Sequence, residues 1–269
     1  MKYGVRLNRL SPHLRERFVN VESTNIESVE RFRNDVQPHS LFASMCLDVA
    51  SKFITYNGLS AAFGMRQLHL LDTESARRLI SDESYNSELL DIGSGNGDVT
   101  VRLAPLFKKS VTAIEVSRGC RFALRKRPEI FRVLKDMNEL DENKRFDVVS
   151  LFNVLDRCDC PKRMLSSVEP RVNKYLFVSA AFPWVPYSIE SGDLLSKWKN
   201  TSSRGRDFND QELADASSFE DFVERCEKHL FKKFKIKSFS RVPYLCQGTQ
   251  EVHPEPYEID CALFVLTKT

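Results

Sequence analysis

The stretch Glu88-Leu89-Leu90-Asp91-Ile92-Gly93-Ser94-Gly95-Asn96-Gly97-Asp98 decides the fold. Its apolar half reads as a short buried strand, and three glycines at alternate positions follow it. Glycine adopts backbone conformations closed to other residues and carries no β-carbon, so this turn lets main chain approach a ligand closely. From residue 98 to 107 the pattern is helical. Further strands are expected at 110–116, 131–134, 146–152 and 175–181, with helices at 118–126 and 162–168 between them. Strands alternating with helices mean crossover units and a parallel sheet. A helix at 219–231 and strands at 234–244 and 259–266 close the chain.

Upstream, residues 1–85 read as helical. Thr24-Asn25-Ile26-Glu27 has the form of a capping box. A second helix is expected at 40–56, with Leu41, Met45, Val49 and Phe53 on one face, ended by Asn57-Gly58. Thr73 is the expected cap of a third. Residues 188–216 are polar and read as a long loop. The chain therefore divides into a helical region at 1–85, packing on a catalytic domain at 86–269 that carries 188–216 as an insertion.

Composition narrows the function classes. Of 269 residues, 42% are hydrophobic and 29% charged, as in ordinary globular proteins. Forty Lys and Arg against 37 Asp and Glu leave +3, which points to no nucleic-acid partner. The longest mainly apolar run, 175–187, is broken by a Ser and two Pro and falls short of the roughly 20 residues of a membrane span. The first residues are charged with no apolar stretch behind them, so the sequence by itself reads as cytoplasmic. Seven cysteines without a C-x-x-C read as reduced thiols. The five histidines, His13, His39, His69, His229 and His253, lack metal-ligand spacing, and no metal site is expected.

The glycine spacing is selective. A dinucleotide loop, G-x-G-x-x-G, needs glycine at 98, where Asp98 stands. The form found here, G-x-G-x-G after an acid, resembles the loop of S-adenosylmethionine-dependent methyltransferases. On that reading Gly93, Ser94, Gly95 and Gly97 line the cofactor, and Asp91 meets the amino-bearing end of its methionine moiety. Glu115, at the end of the next strand, grips the ribose hydroxyls. Asp136 and Met137, after the third strand, face the adenine.

Asn153-Val154-Leu155-Asp156-Arg157-Cys158-Asp159-Cys160-Pro161 follows the fourth strand, where chemistry gathers in open parallel sheets. Asn153 and Asp156 share a face if this turn is helical. The run resembles the N-L-L-D-R-C-D-x-P signature of the DREV family, the protein-histidine N-pros methyltransferases. Arg241-Val242-Pro243-Tyr244-Leu245-Cys246-Gln247-Gly248 resembles that family's R-L-P-Y-L-C-E-G, and Tyr257 with Asp260–Leu266 resembles its closing Y-x-L-D-D-A-x-F-V-L. Order and spacing agree from about Gly64 onward. Ser94, Asn96 and Asp98 replace Ala, Asp and Glu of the family's loop, and the amino-terminal third matches poorly.

The resemblance implies a class I, Rossmann-like methyltransferase: a mainly parallel seven-stranded sheet with helices on both faces, plus the helical amino-terminal region. It implies S-adenosylmethionine as cofactor and methylation of the π nitrogen of histidine within His-x-His segments of protein substrates; separately, a monomer is expected. It places Asn153 on the cofactor side. Asp156, Arg241 and Tyr244 go to the substrate side, with Asp156 and Tyr244 catalytic. It also raises endomembrane association, because family members often begin with a hydrophobic leader. Two other readings stay open: a methyltransferase of this fold acting on a small molecule or another side chain, and a binding module that keeps the pocket without turnover.

Overall fold

Leu89, Leu90 and Ile92 are buried on both faces of their strand, as an interior parallel strand requires. The computed structural model describes residues 3–36, 61, 64, 67–81, 87–158, 160–185, 211–247 and 256–269. Its strands are β1 (Leu68–His69), β2 (Glu88–Ile92), β3 (Ser110–Ile114), β4 (Arg132–Leu134), β5 (Phe146–Phe152), β6 (Val172–Phe182), β7 (Phe234–Cys246) and β8 (Tyr257–Lys268). The helices that carry the packing are α1 (Glu22–Asp35), α2 (Thr73–Ile80), α3 (Asp98–Leu103), α4 (Arg118–Leu124), α5 (Pro161–Val168) and α6 (Phe219–Arg225).

All eight strands form one sheet, in the order β1-β7-β8-β6-β5-β2-β3-β4. β2 pairs in parallel with β3 and β5, β3 with β4, and β5 with β6. β8 runs antiparallel between β6 and β7, so β7 points with the parallel set. The chain leaves β2 towards β3 and β4, then returns on the other side of β2 as β5. That reversal opens a crevice at the carboxyl ends of β2 and β5, the position where open α/β sheets take ligands.

The expected seven-stranded sheet has eight strands. The extra one, β1, lies in the region read as helical and pairs antiparallel with the end of β7, Leu68 opposite Cys246 and His69 opposite Leu245. Two residues carry no readable period. β1 forms because β7 runs on to Cys246 with an open edge, and because Asp98 Oδ2 accepts the Leu68 N–H at 3.0 Å.

Capping also differs. α1 starts two residues before the capping box: Asn20 Oδ1 accepts the Glu22 N–H at 2.9 Å, and the Thr24 hydroxyl turns to Val21 O. α2 is capped by Asp72, whose Oδ1 accepts the Ser75 N–H at 2.6 Å, not by Thr73. The 40–56 helix and most of the 188–216 loop lie outside the described residues.

Apolar side chains fill both faces of the sheet. Leu165 and Val168 of α5 and Phe219, Phe222 and Val223 of α6 cover one face, joined by Leu10 and Leu14. Ala76, Leu79 and Ile80 of α2, Leu103 of α3 and Leu124 of α4 cover the other. Phe264 sits under Phe231, ring centroids 5.0 Å apart, and a fully buried side chain of this size stabilises the fold by about 1.5–3 kcal/mol. Among the described residues no helix is long and apolar enough to cross a membrane.

The amino-terminal segment is strapped to α6 through acids. Glu220 Oε1 accepts the Arg6 N–H at 2.7 Å, and Glu224 Oε1 accepts the Ser11 N–H at 2.6 Å. α1 in turn lays Val29 and Phe32 against Leu245 of β7. Beneath it His69 is fully buried, its Nε2 facing Ser28 Oγ at 3.2 Å and Asn25 Oδ1 at 3.3 Å. Burial, aided by the charge of Arg102, lowers the His69 pKa to about 3, so the folded chain holds it neutral. An unfolded histidine binds its proton near pH 6.5. The stabilisation is therefore present above pH 6.5 and is lost as pH falls towards 3, by about 1.4 kcal/mol per pH unit. We expect the difference in denaturant midpoint between pH 7 and pH 5 to shrink in His69→Leu. An unchanged difference would show that His69 is not held neutral.

Candidate active site

The crevice is built from two turns, one after β2 and one after β5. Gly93, Gly95 and Gly97 all have positive φ, at 75°, 57° and 87°. At Gly93 a β-carbon would lie 2.5 Å from Val154 Cγ2, so the first turn is packed directly on the second. At Gly95 nothing lies within 4 Å of where a β-carbon would stand, which leaves bare main chain facing open space. Gly97 packs on Leu124 and Ile130 at the start of α3.

Asp91 is 2% exposed, and both its oxygens are engaged: Oδ1 accepts from Ser150 Oγ at 2.6 Å and Oδ2 from Thr100 Oγ1 at 2.5 Å. Burial raises its pKa, while the hydrogen bonds from Ser150, Thr100 and Ser94 oppose the rise. The carboxylate thereby ties β2 to β5 and to α3. Ser94 Oγ donates to Asp91 O at 2.8 Å and tightens the turn.

Glu115 stands one residue beyond β3. Its Oε2 accepts the Gly95 N–H at 2.9 Å and its Oε1 the Ser117 N–H at 2.8 Å. Burial raises its pKa, and these two backbone hydrogen bonds lower it. Asp136 caps a short turn through Oδ1 to the Asn138 N–H at 2.9 Å. Met137 follows, half-buried, and lines a cavity of about 420 Å³ with Asn138, Leu140, Glu142, Ser167 and Arg171.

The turn after β5 is not helical at its start. Asn153 takes a left-handed conformation, φ 53°, and is buried. Ser179 of β6 holds it there, accepting the Asn153 N–H at 2.8 Å and donating to Oδ1 at 3.1 Å. Cys261 of β8 adds an Sγ contact to Oδ1 at 3.5 Å. The hydrogen-bonded turn follows, from the Arg157 N–H to Val154 O at 3.0 Å. Within it Asp156 is 3% exposed, and its Oδ1 is buried with no hydrogen-bond partner. Its Oδ2 lies 3.7 Å from Arg157 Nε. Burial raises the Asp156 pKa, and the Arg157 charge opposes that.

Tyr244 reaches the same corner from β7, with the Arg157 guanidinium 5.8 Å from its ring centroid. Arg241 is not brought there. Residues 241 and 244 are an odd number apart on one strand and so point to opposite faces. Arg241 instead holds Asp260 with both Nε and Nη2, the latter at 2.6 Å, donates to Gly4 O, and lies 4.7 Å over the Phe219 ring. Sequence reading also missed Ser150, Ser179, Thr100 and Cys261. Ser150 and Ser179 carried a signal, each being a single hydroxyl inside an apolar buried strand.

A family model described as DREV methyltransferase matches residues 9–268, nearly the whole chain. The chain belongs to the DREV methyltransferase family. A curated relative is the mitochondrial ubiquinone biosynthesis O-methyltransferase of Candida albicans, 31% identical over 120 residues. That match covers 40% of this chain and 36% of the relative, so the chain spans about a third of that protein's length. Among solved structures, coclaurine N-methyltransferase bound to N-methylheliamine and SAH is similar over 36% of this chain and 31% of its own, at 19% identity and TM-score 0.31. Precorrin-6y C5,15-methyltransferase from Geobacter metallireducens is similar over 68% and 81%, at 14% identity and TM-score 0.39.

Membership in this methyltransferase family is consistent with S-adenosylmethionine as cofactor. The residues fit that group. Open space in front of Gly95 leaves room beside bare main chain, and the Glu115 carboxylate sits against the same loop. Asp156 presents a buried, unpaired acceptor from the neighbouring turn, as a site needs if a nucleophile is to be oriented beside the donor.

Proposed function

We propose that this DREV methyltransferase methylates the π nitrogen of histidine in protein substrates, within His-x-His segments. One observation carries the reading. Asp156 Oδ1 is a buried acceptor with no hydrogen-bond partner among the described residues, at the carboxyl end of β5, and the neighbouring Arg157 lies over the Tyr244 ring. A buried acceptor left empty by its own chain is costly, by about 1–3 kcal/mol, unless a ligand donor fills it.

A histidine side chain supplies that donor. Its τ nitrogen keeps its proton and donates to Asp156, which fixes the tautomer and frees the lone pair on the π nitrogen. S-adenosylmethionine supplies an electrophilic methyl group on a sulfonium. The π nitrogen would form the new N–C bond, and the electron pair of the C–S bond would leave with sulfur. Positive charge develops on the imidazole, and the Asp156 carboxylate stabilises it and takes the τ proton. Tyr244 walls the ring. On the donor's side Asp91 stiffens the loop, and Glu115 would accept from the ribose hydroxyls, Asn153 would line the crevice, and Asp136 and Met137 would flank the adenine.

Labelled S-adenosylmethionine incubated with a peptide containing Ala-His-x-His tests this. We expect incorporation that vanishes when the histidines become alanine, and a hydrolysate containing π-methylhistidine. The τ isomer, or label that survives loss of the histidines, would end the reading. The O-methyltransferase named among the relatives favours a second reading, transfer to a small hydroxylated molecule. Transfer to a catechol with none to the peptide would select it.

A further inference from the structure

Arg157 has no task in that scheme, yet it touches both residues that do. It follows Asp156 in the turn after β5 and its side chain is 18% exposed. Its Nε stands 3.7 Å from Asp156 Oδ2, and its guanidinium lies 5.8 Å from the Tyr244 ring centroid. At 3.7 Å the contact is an ion pair beyond hydrogen-bond distance, so it acts through charge, while the ring contact has cation–π distance. One cation thus joins a carboxylate from the β5 turn to an aromatic ring from β7.

The other groups at this corner are weak or distant. Cys261 faces Asp156 from β8, and Cys246 and Asp260 act on Cys261. Among the described groups that face Asp156, Arg157 is the cation. Burial favours the protonated acid, and Arg157 opposes it.

We infer that Arg157 is a positioning and specificity-determining residue: it holds Asp156 as an anion, seats the Tyr244 ring, and biases the corner towards uncharged nitrogen nucleophiles. This rests on Asp156 and Tyr244 facing the substrate. An Asp–Arg pair is close to neutral and gives a lysine ammonium no net attraction, whereas a lone carboxylate would attract it. A neutral imidazole needs only the unpaired oxygen.

Arg157→Gln and Arg157→Lys test this against the unmodified chain. Carboxyl carbon NMR follows the Asp156 titration, with the resonance assigned by its loss in Asp156→Asn. No substrate is needed, so the result stands whichever acceptor the enzyme uses. We expect the midpoint to rise by about one pH unit or more in the glutamine variant and to stay near the unmodified value in the lysine variant. With a His-x-His peptide and its Lys-x-Lys counterpart, the ratio of kcat/KM values should fall at least about tenfold in the glutamine variant. An unmoved midpoint or an unmoved ratio overturns the inference and leaves Arg157 a packing residue. If the glutamine variant does not fold, Arg157→Met carries the same two readouts. Absence of transfer to histidine by the unmodified chain would sink the proposed function, while the NMR midpoint would still decide the role of Arg157.

Discussion

Asp156→Asn should lower methyl transfer by about 10²–10⁴-fold while leaving S-adenosylmethionine binding intact. Asparagine keeps the shape and an acceptor oxygen but loses the charge, so it neither stabilises a developing imidazolium nor takes its proton. Stability should change far less than activity. Asp156 is 3% exposed, its Oδ1 has no partner, and Arg157 sits at 3.7 Å, which compensates burial only in part. Losing this charge relieves the desolvation of a buried carboxylate but also costs the ion pair with Arg157, and the two effects oppose each other. Calorimetric titration with S-adenosylhomocysteine, a thermal melt and a labelled-donor assay read the three quantities separately. A variant that loses binding, melting temperature and activity together would show Asp156 to be structural. The pH dependence carries a sign as well. Because burial raises the Asp156 pKa, the carboxylate is lost at a higher pH than for an exposed aspartate, and activity should fall on the acid side.

Gly93→Ala should abolish measurable cofactor binding, with one methyl group added. The residue sits at φ 75°, where alanine is strained, and its β-carbon would fall 2.5 Å from Val154 Cγ2. Left-handed strain alone costs about 1–2 kcal/mol. The clash then moves one of the two turns that frame the crevice, and a shift of about 1 Å at such a position costs about 10²-fold in rate. Val154→Ala removes the opposing methyl, so the double variant should recover part of the lost binding and retain only the backbone strain. Titration calorimetry on the two single variants and the double variant decides it. Unaltered binding in Gly93→Ala, or no recovery in the double variant, would show that this contact does not set the distance between the turns.

Much of this architecture was legible because its signals are strong and local. The run from Leu89 to Gly97 announces strand and glycine turn at once, and the alternation downstream yields the parallel set in order. Signals that depend on partners far along the chain were not legible. β1 is two residues long and exists because β7 outruns its expected end at 244, which no pattern within residues 67–70 can reveal. Thr24 and Thr73 looked like caps, yet α1 begins earlier, at Glu22, whose N–H goes to Asn20, and Asp72 caps α2. Arg241 lies on the opposite face of β7 from Tyr244, paired with Asp260. The two-residue period of a strand separates it from Tyr244 by simple arithmetic, and the likeness of the R-V-P-Y run to a family motif drew them together. The clamp on Asn153 by Ser179 and Cys261 joins three strands and was invisible, although a lone serine inside the apolar β6 was a hint worth following.

β8 comes after every other strand in the chain but sits inside the sheet, between β6 and β7. Its Cys261 reaches Asn153, and its partner strand supplies Tyr244. On the ribosome, β2 to β6 emerge early and can pair, at synthesis rates of about 5–20 residues per second. The corner around Asn153 and Asp156 must wait for the last strand to be released. A nascent chain therefore carries the glycine turn before it carries the corner proposed as catalytic. Methyl transfer should switch on only when translation has passed β8, with no active shorter form made on the way.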